Sequence, residues 1–225
     1  MPHFHIPLQS GSDNILKAMR RRYDTNLYAD LIKKIKIKIP DVAIGVDVMV
    51  GFPGETEEDF LSTYNFIKKL EISYLHVFTY SERPNTDALN LDKIVSMEKR
   101  KERSKILHSL SDEKLSHFYD QFIGQKRPVL FESIKNGQLI GHSDNYIKIK
   151  SNGTPDLINT IQNVDLLDND GRYVYGAIAW FDFISDKIPS HNLILATIES
   201  LAAKVASFHL VLLSPQSSLI IFKAR

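Results

Sequence analysis

The chain has 225 residues, 43% of them hydrophobic and 24% charged, with a formal net charge of +1. That composition fits one large or two small soluble globular domains with a sizeable core. A charge so near zero leaves any nucleic-acid preference to local patches. Cysteine is absent, which excludes disulfides and thiolate metal sites. Met1-Pro-His-Phe-His5 has no basic segment followed by an apolar one, so no secretory signal is read and a cytoplasmic location is expected. The apolar run from Leu193 to Leu213 carries Glu199, Lys204 and His209. Charges near a bilayer centre are costly, which argues against a membrane span there.

The first part alternates between extended and helical patterns. Phe4 to Leu8 reads as a short strand, and Asp13 opens a helix running to Met19. Asn26 to Ile39 has Leu27, Leu31, Ile35 and Ile39 at four-residue intervals, and Pro40 stops that helix. Ala43 to Val50 is apolar and β-branched, as suits a parallel strand buried on both faces. Thr56-Glu-Glu-Asp59 is a capping signature, with a hydroxyl three residues before an acid. The helix behind it aligns Phe60, Tyr64 and Ile67 on one face. Tyr74 to Tyr80 is the next strand, Arg83 to Thr86 a turn, and Ser96 to Phe122 a long helix. This β-α-β-α-β-α order implies a parallel sheet with helices outside it.

The texture changes at Ile123-Gly124. Strand candidates become short: Val129 to Ile134, Leu139 to Gly141, Tyr146 to Lys150, Asn163 to Leu167 and Val174 to Ile178. Asn136-Gly137, Asn152-Gly153 and Asp170-Gly171 read as hairpin turns. Five such strands suggest a small OB-like barrel. The expected division is therefore an α/β domain over 1–122, a β-barrel over 123–178 and an unassigned tail over 179–225.

Two stretches concentrate chemistry where parallel strands end. Gln9-Ser10-Gly11-Ser12 offers an amide, two hydroxyls and a flexible backbone for a cofactor. Its structural alternative is that Ser12 or Asp13 caps the next helix. Gly51-Phe52-Pro53-Gly54-Glu55 pairs a glycine backbone that a ligand can approach with a stiffening proline. Asp47, inside an apolar strand, needs a partner or a ligand. His3 and His5 share a strand face but lack a third ligand, so no metal site is assigned. Arg20, Arg21 and Arg22, and the cluster from Lys93 to Lys105 with Arg100 and Arg103, are either solvated faces or phosphate contacts. Phe131, Tyr146 and Tyr173 are candidates for stacking bases or for the barrel core.

Residues 3–178 resemble the C-terminal half of the radical S-adenosylmethionine tRNA methylthiotransferases. The likeness rests on His5-Ile-Pro-Leu-Gln-Ser-Gly-Ser-Asp13, Met19-Arg-Arg-Arg-Tyr23, Asp47 to Thr56 and His76 to Thr86. Within the family, His3-Phe-His-Ile-Pro-Leu-Gln-Ser-Gly-Ser12 looks most like the branch that modifies N6-threonylcarbamoyladenosine in tRNA. The resemblance implies the latter half of a partial six-stranded (β/α) barrel, then a small RNA-binding barrel, the TRAM domain. It implies S-adenosylmethionine and two four-iron four-sulfur clusters as cofactors. One cluster yields a 5′-deoxyadenosyl radical that takes hydrogen from adenine C2. The other delivers sulfur, and a second S-adenosylmethionine gives the methyl group.

Carried onto this chain, the resemblance places Gln9, Ser10, Gly11 and Ser12 in the fourth βα loop, near S-adenosylmethionine. Asp47, Gly51, Phe52, Pro53, Gly54 and Glu55 fall at the fifth strand and its loop. Tyr80, Ser81 and Arg83 fall at the mouth beside the sixth. The RNA contacts expected are Arg20, Arg21, Arg22, Arg83, Arg100 and Arg103, with the anticodon arm of tRNA as partner. The cluster-binding Cys-x-x-x-Cys-x-x-Cys motif, the sulfur-donor domain and the first three barrel strands have no counterpart here, and Asn85 stands where relatives often carry Gly. The chain thus reads as a fragment, Met1 an internal methionine, inactive alone. The competing reading is a non-enzymatic RNA-binding module.

Overall fold

The computed structural model describes residues 1–82, 84, 91 and 93–178. Met1–Ile178 form one compact unit. The Arg83–Thr86 turn, for the most part, and the Leu193–Leu213 run lie outside the described residues. Among those described, no helix is long and apolar enough to cross a membrane.

The first half is a three-stranded parallel sheet in the order β1-β2-β3, from His3–His5, Ala43–Val50 and Tyr74–Thr79. Helices α1 (Asp13–Ala18) and α2 (Thr25–Lys38) join β1 to β2, and α3 (Glu57–Lys69) joins β2 to β3. Helix α4 (Met97–Asp120) follows. Helix starts follow local chemistry. Ser12, Asp24, Thr56 and Ser96 each accept a backbone N–H at an N-cap, satisfying donors that have no partner within the helix. The Thr56–Asp59 pair forms a complete capping box.

Side-chain alternation sorts the sheet into two faces. Val46, Val48 and Val50 are fully buried in one core with Ile44, Phe60, Ile67, Leu75 and Leu107. The expected burial on both faces holds for Ala43 and Gly45 and loosens toward the carboxyl end of the opposite face. Asp47 and Met49 are only partly buried there, and His76 and Phe78 of the neighbouring strand are exposed. The edge of β3 is closed by α4, whose Ser111 hydroxyl accepts from Leu75 N–H at 2.8 Å and donates to its carbonyl at 3.2 Å. The free polar groups of Leu75 on that edge are thereby paired.

The second half is a closed five-stranded barrel in the order β4-β5-β6-β8-β7. Its strands are β4 (Lys126–Lys135), β5 (Gln138–Ser143), β6 (Lys148–Asn152), β7 (Ile161–Asn169) and β8 (Val174–Ile178). Neighbours pair antiparallel except β6 and β8. Asn136 and Gly137 both take positive φ, 52° and 77°, as a two-residue hairpin demands. Asp170-Gly171, with positive φ at Gly171 alone, lies in the longer turn that carries β7 into its antiparallel neighbour β8. Asn152-Gly153 does not make the expected hairpin. It leads into a single 3-10 turn, Pro155–Leu157, because β6 pairs with β5 and β8 and not with β7.

Helix α4 serves both cores. Leu107 and Leu110 pack under the sheet, whereas Phe118, Tyr119 and Phe122 belong to the barrel core with Val129, Phe131, Ile149 and Val164. Arg127 joins the two halves. It donates to Asp41 at 2.7 Å and bidentately to Asp144 at 2.8 and 3.0 Å, and lies over the Phe122 ring. His3 stacks on Tyr146 with ring centroids 4.2 Å apart.

Gly141 lets β5 cross β4 closely: a Cβ there would sit 2.1 Å from the Leu130 carbonyl oxygen. That oxygen is backbone and cannot rotate away. Gly141→Ala is expected to destabilise the chain by about 2–3 kcal/mol, the upper range for overpacking. Urea unfolding checks this through a lowered midpoint at unchanged slope.

Candidate functional site

The loops that follow β1, β2 and β3 meet at the carboxyl end of the sheet. Open α/β sheets place ligands there. Ile15 of α1, Phe52 of the second loop and Tyr80 at the end of β3 form one buried cluster, with Met19 and Met49 against it. Phe52 and Tyr80 meet edge to face at 5.6 Å. The structure thus brings Gln9–Ser12, Gly51–Glu55 and Tyr80 to one place.

Within Gln9–Ser12 the hydroxyls are committed to the protein. Ser10 is fully buried and bonds Thr63 of α3 at 3.1 Å. Ser12 caps α1 and also donates to Asp59 at 2.7 Å. Gly11 is packed so tightly that a Cβ would lie 2.8 Å from the Thr63 Cα. This loop is anchored on α3 by its serines and glycine. Gln9 is the member whose side chain is only partly buried. Its backbone, at φ 72°, bridges to β2 by donating to Asp47 O and accepting from Met49 N.

The second loop is held from α4. Gly51 at φ 77° donates to the Glu55 carboxylate at 2.7 Å. Arg103 reaches the same carboxylate at 2.6 Å, its carbonyl at 3.2 Å and Glu57 at 3.1 Å. Arg100 packs where a Gly51 Cβ would be, 2.3 Å from its Cγ. Its guanidinium bonds the carbonyls of Tyr80 and Val95 and the Glu82 carboxylate. Burial pushes the Glu55 carboxyl above its ordinary range, against the pull of Gly51 N–H and Arg103. Among the described residues, Glu55 Oε1, Arg103 Nε and the Tyr80 hydroxyl are buried without a hydrogen-bond partner.

These positions differ from a phosphate-contacting face. Arg100 and Arg103 are 2% and 3% exposed, and their guanidinium groups are spent on the loops. The helical pattern had a signal for this, since Arg100, Arg103, Leu107 and Leu110 lie three to four apart on one stripe. Arg20, Arg21 and Arg22 are exposed beyond α1. Arg83 lies outside the described residues. In the barrel Phe131 is fully buried, so its ring is core and not a stacking platform. Tyr146 is engaged by His3 and His142. Tyr173 carries the ammonium groups of Lys150 and Lys148 over its ring, at 3.9 and 4.9 Å.

The partner that Asp47 needed is His5, whose Nε2 lies 2.7 Å from Oδ1. His5 also packs against His76, and His76 against Tyr74. His3 bonds the Tyr74 hydroxyl at 2.7 Å. Burial, then the neighbouring His5 and His76, hold the His3 pKa below its ordinary value. Pattern reading of the sequence paired neither His5 with Asp47 nor His76 with them, because the contacts span three strands. Among the described residues, no three His, Cys, Asp or Glu side chains gather as metal ligands.

Comparison with known proteins finds similar sequences. Residues 1–67 match the Radical SAM superfamily. The chain is 38% identical over 194 residues to a threonylcarbamoyladenosine tRNA methylthiotransferase of Bacillus subtilis (strain 168), covering 84% of this chain and 43% of that protein. An enzyme of the same name from Aquifex aeolicus (strain VF5) is 43% identical over 152 residues, or 68% of this chain and 36% of the relative. A tRNA-2-methylthio-N(6)-dimethylallyladenosine synthase of Endomicrobium trichonymphae is 38% identical over 177 residues, 79% of this chain and 42% of the relative. The chain therefore spans less than half the length of these relatives.

Two outcomes follow from the loop anchors. Arg103→Met is expected to cost about 3–5 kcal/mol, because it leaves the Glu55 charge buried and unpaired. Adding Glu55→Gln recovers part of that loss, which a double-mutant cycle in urea measures. The second concerns acid. Burial resists ionisation of Asp59, but hydrogen bonds from Ser12, Thr56 and Asn14 outweigh it and hold the carboxyl below its ordinary range. A depressed folded pKa adds stability above the unfolded value, lost as pH falls through the folded one. Asp59→Asn should therefore flatten the fall in stability below about pH 4, read from urea midpoints across an acid series.

Proposed function

Because this chain belongs to the radical S-adenosylmethionine tRNA methylthiotransferase family, we propose that it supplies part of such an enzyme. Its reaction is 2-methylthiolation of N6-threonylcarbamoyladenosine beside the anticodon, in the cytoplasm. Residues 1–122 are the latter half of a partial radical barrel. Residues 123–178 are an OB-like, TRAM-type barrel for tRNA, and 179–225 remain unassigned. One observation carries the reading. Three βα loops converge on the sheet's carboxyl end in a chain that continues into a closed five-stranded barrel, and methylthiotransferases match it across both parts.

The loops suit S-adenosylmethionine. Gly54 takes positive φ with open space beside its Cα, so a ligand can approach the backbone there, and the buried Tyr80 hydroxyl lacks a partner among the described residues. Gln9 and the Gly54 end of the Gly51–Gly54 loop would hold the cofactor, with Gly51 keeping the loop in place through Glu55 and Asp47 and His5 facing the cofactor from the open side of the sheet. Ser10, Gly11, Ser12 and Glu55 hold the two loops in place, and Phe52 and Pro53 wall them. When bound, S-adenosylmethionine supplies the radical and methyl chemistry. Iron–sulfur clusters do not fit this chain, because it has no thiolate to hold them. Their ligands would come from outside it, and alone it would be inactive. That same absence favours the second reading, an RNA-binding module without catalysis.

The test is anaerobic reconstitution of the chain by itself, followed by iron and sulfide analysis and titration with tRNA. We expect no bound cluster, and tRNA affinity that falls steeply with salt. Removing charge at Arg21 and Arg22 should shallow the log–log salt slope by about 0.7–0.9 for each phosphate that is no longer neutralised. A tRNA lacking the anticodon arm should bind more weakly. Stoichiometric cluster, or no tRNA binding at low salt, would overturn the proposal.

A further inference from the structure

The opposite pole of the sheet carries a second concave site. A cavity of about 460 Å³ lies between the end of α2, the α3–β3 connection and the last turns of α4. That volume falls in the range of small-molecule sites. Its lining includes Lys36, Lys68, Lys69, Lys114 and His117, against a single acid, Glu71.

Lysines at helix ends often do no more than complement the helix dipole, and Lys114 does part of that here. Its ammonium bonds the carbonyls of Lys68 and Leu70 at 3.2 and 2.8 Å. The Lys36 ammonium bonds the Val42 carbonyl at 2.9 Å and lies 5.5 Å from the Phe118 ring. These acceptors are neutral. Both lysines are half-buried, and burial holds both below the ordinary lysine pKa. An ammonium has three donors, so Lys36 keeps two and Lys114 one. Asp41, another acid near Lys36, is bound by Arg127. Glu113 also acts on Lys114, so the four lysines of the lining face two acids, Glu71 and Glu113, and keep a surplus of positive charge.

We propose that this cavity binds a phosphate group. Several point charges converging on one space suit a multiply charged anion better than a single carboxylate, and lysine serves phosphate as a point charge. The site is separated from the βα loops by the length of the strands, so it is independent of the proposed catalytic face. The phosphate comes either from a free phosphate compound or from an RNA backbone.

Limited acylation of lysines in the whole chain, read residue by residue by mass spectrometry, tests this. The two probes are inorganic pyrophosphate and an RNA stem-loop. Lys36 and Lys114 are only half-buried, so both ammonium groups stay within reach of the reagent. Occupancy of two-thirds of the sites slows their acylation about threefold, with Lys33 and Lys34 on the exposed face of α2 unchanged. Protection by pyrophosphate identifies a free phosphate site. Protection by RNA alone identifies a backbone contact. Lys68 and Lys69 line the same cavity and report in the Lys36→Gln/Lys114→Gln variant, where their protection should be abolished. If that variant loses its fold by circular dichroism, the exposed pair Lys68→Gln/Lys69→Gln should still weaken protection of Lys36. No protection by either probe, equal slowing at Lys33 and Lys34, or full protection in the folded double variants overturns the proposal.

Discussion

The two buried arginines of α4 are the constraint on which the site end of this fold depends. Arg103 closes the Gly51–Glu55 loop through the Glu55 carboxylate, and Arg100 ties the end of β3 to the start of α4. Taking such charges out of water is expensive, and only good partner geometry offsets it. The geometry here is incomplete, since Arg103 Nε and Glu55 Oε1 lack partners among the described residues. Their value is positional. Removing either partner strands the other, so the loop has one low-energy arrangement.

The same helix makes the α/β and β-barrel parts one unit. Its first turns serve the loops, its middle packs under the sheet, and its last turns enter the barrel core. Arg127 and the His3–Tyr146 stack add contacts between the parts away from α4. A helix with so many duties has little amphipathic regularity, because its buried stripe begins with cations and ends with aromatics.

The sheet has a packed face and an open one. Valines and helices fill the first. The second carries His3, His5, Asp47, Tyr74, His76 and Phe78, a polar and aromatic surface on strands otherwise built for burial. Polar side chains on such a surface can bond water, one another or a ligand. Here His5 pairs with Asp47 and His3 with Tyr74, which orders the face, and the barrel covers its Ala43 and His3 end.

Much of this was legible in the sequence. Period and capping residues placed α1 to α4 and β2 within a residue or two. Hydrophobic alternation and the Asn-Gly and Asp-Gly pairs placed the barrel strands, because turn chemistry and side-chain period are local properties. The motifs after β1 and β2 marked where the loops gather. Only the tertiary structure decided what each side chain does there. Ser10 and Ser12 are spent on α3, and Arg100 and Arg103 are buried on loops that lie some 20 to 50 residues away in sequence. Asn152-Gly153 turns into a 3-10 segment because the strand beside β6 is β8. Pairings between distant segments set burial and partner choice, and neither leaves a periodic trace in the chain.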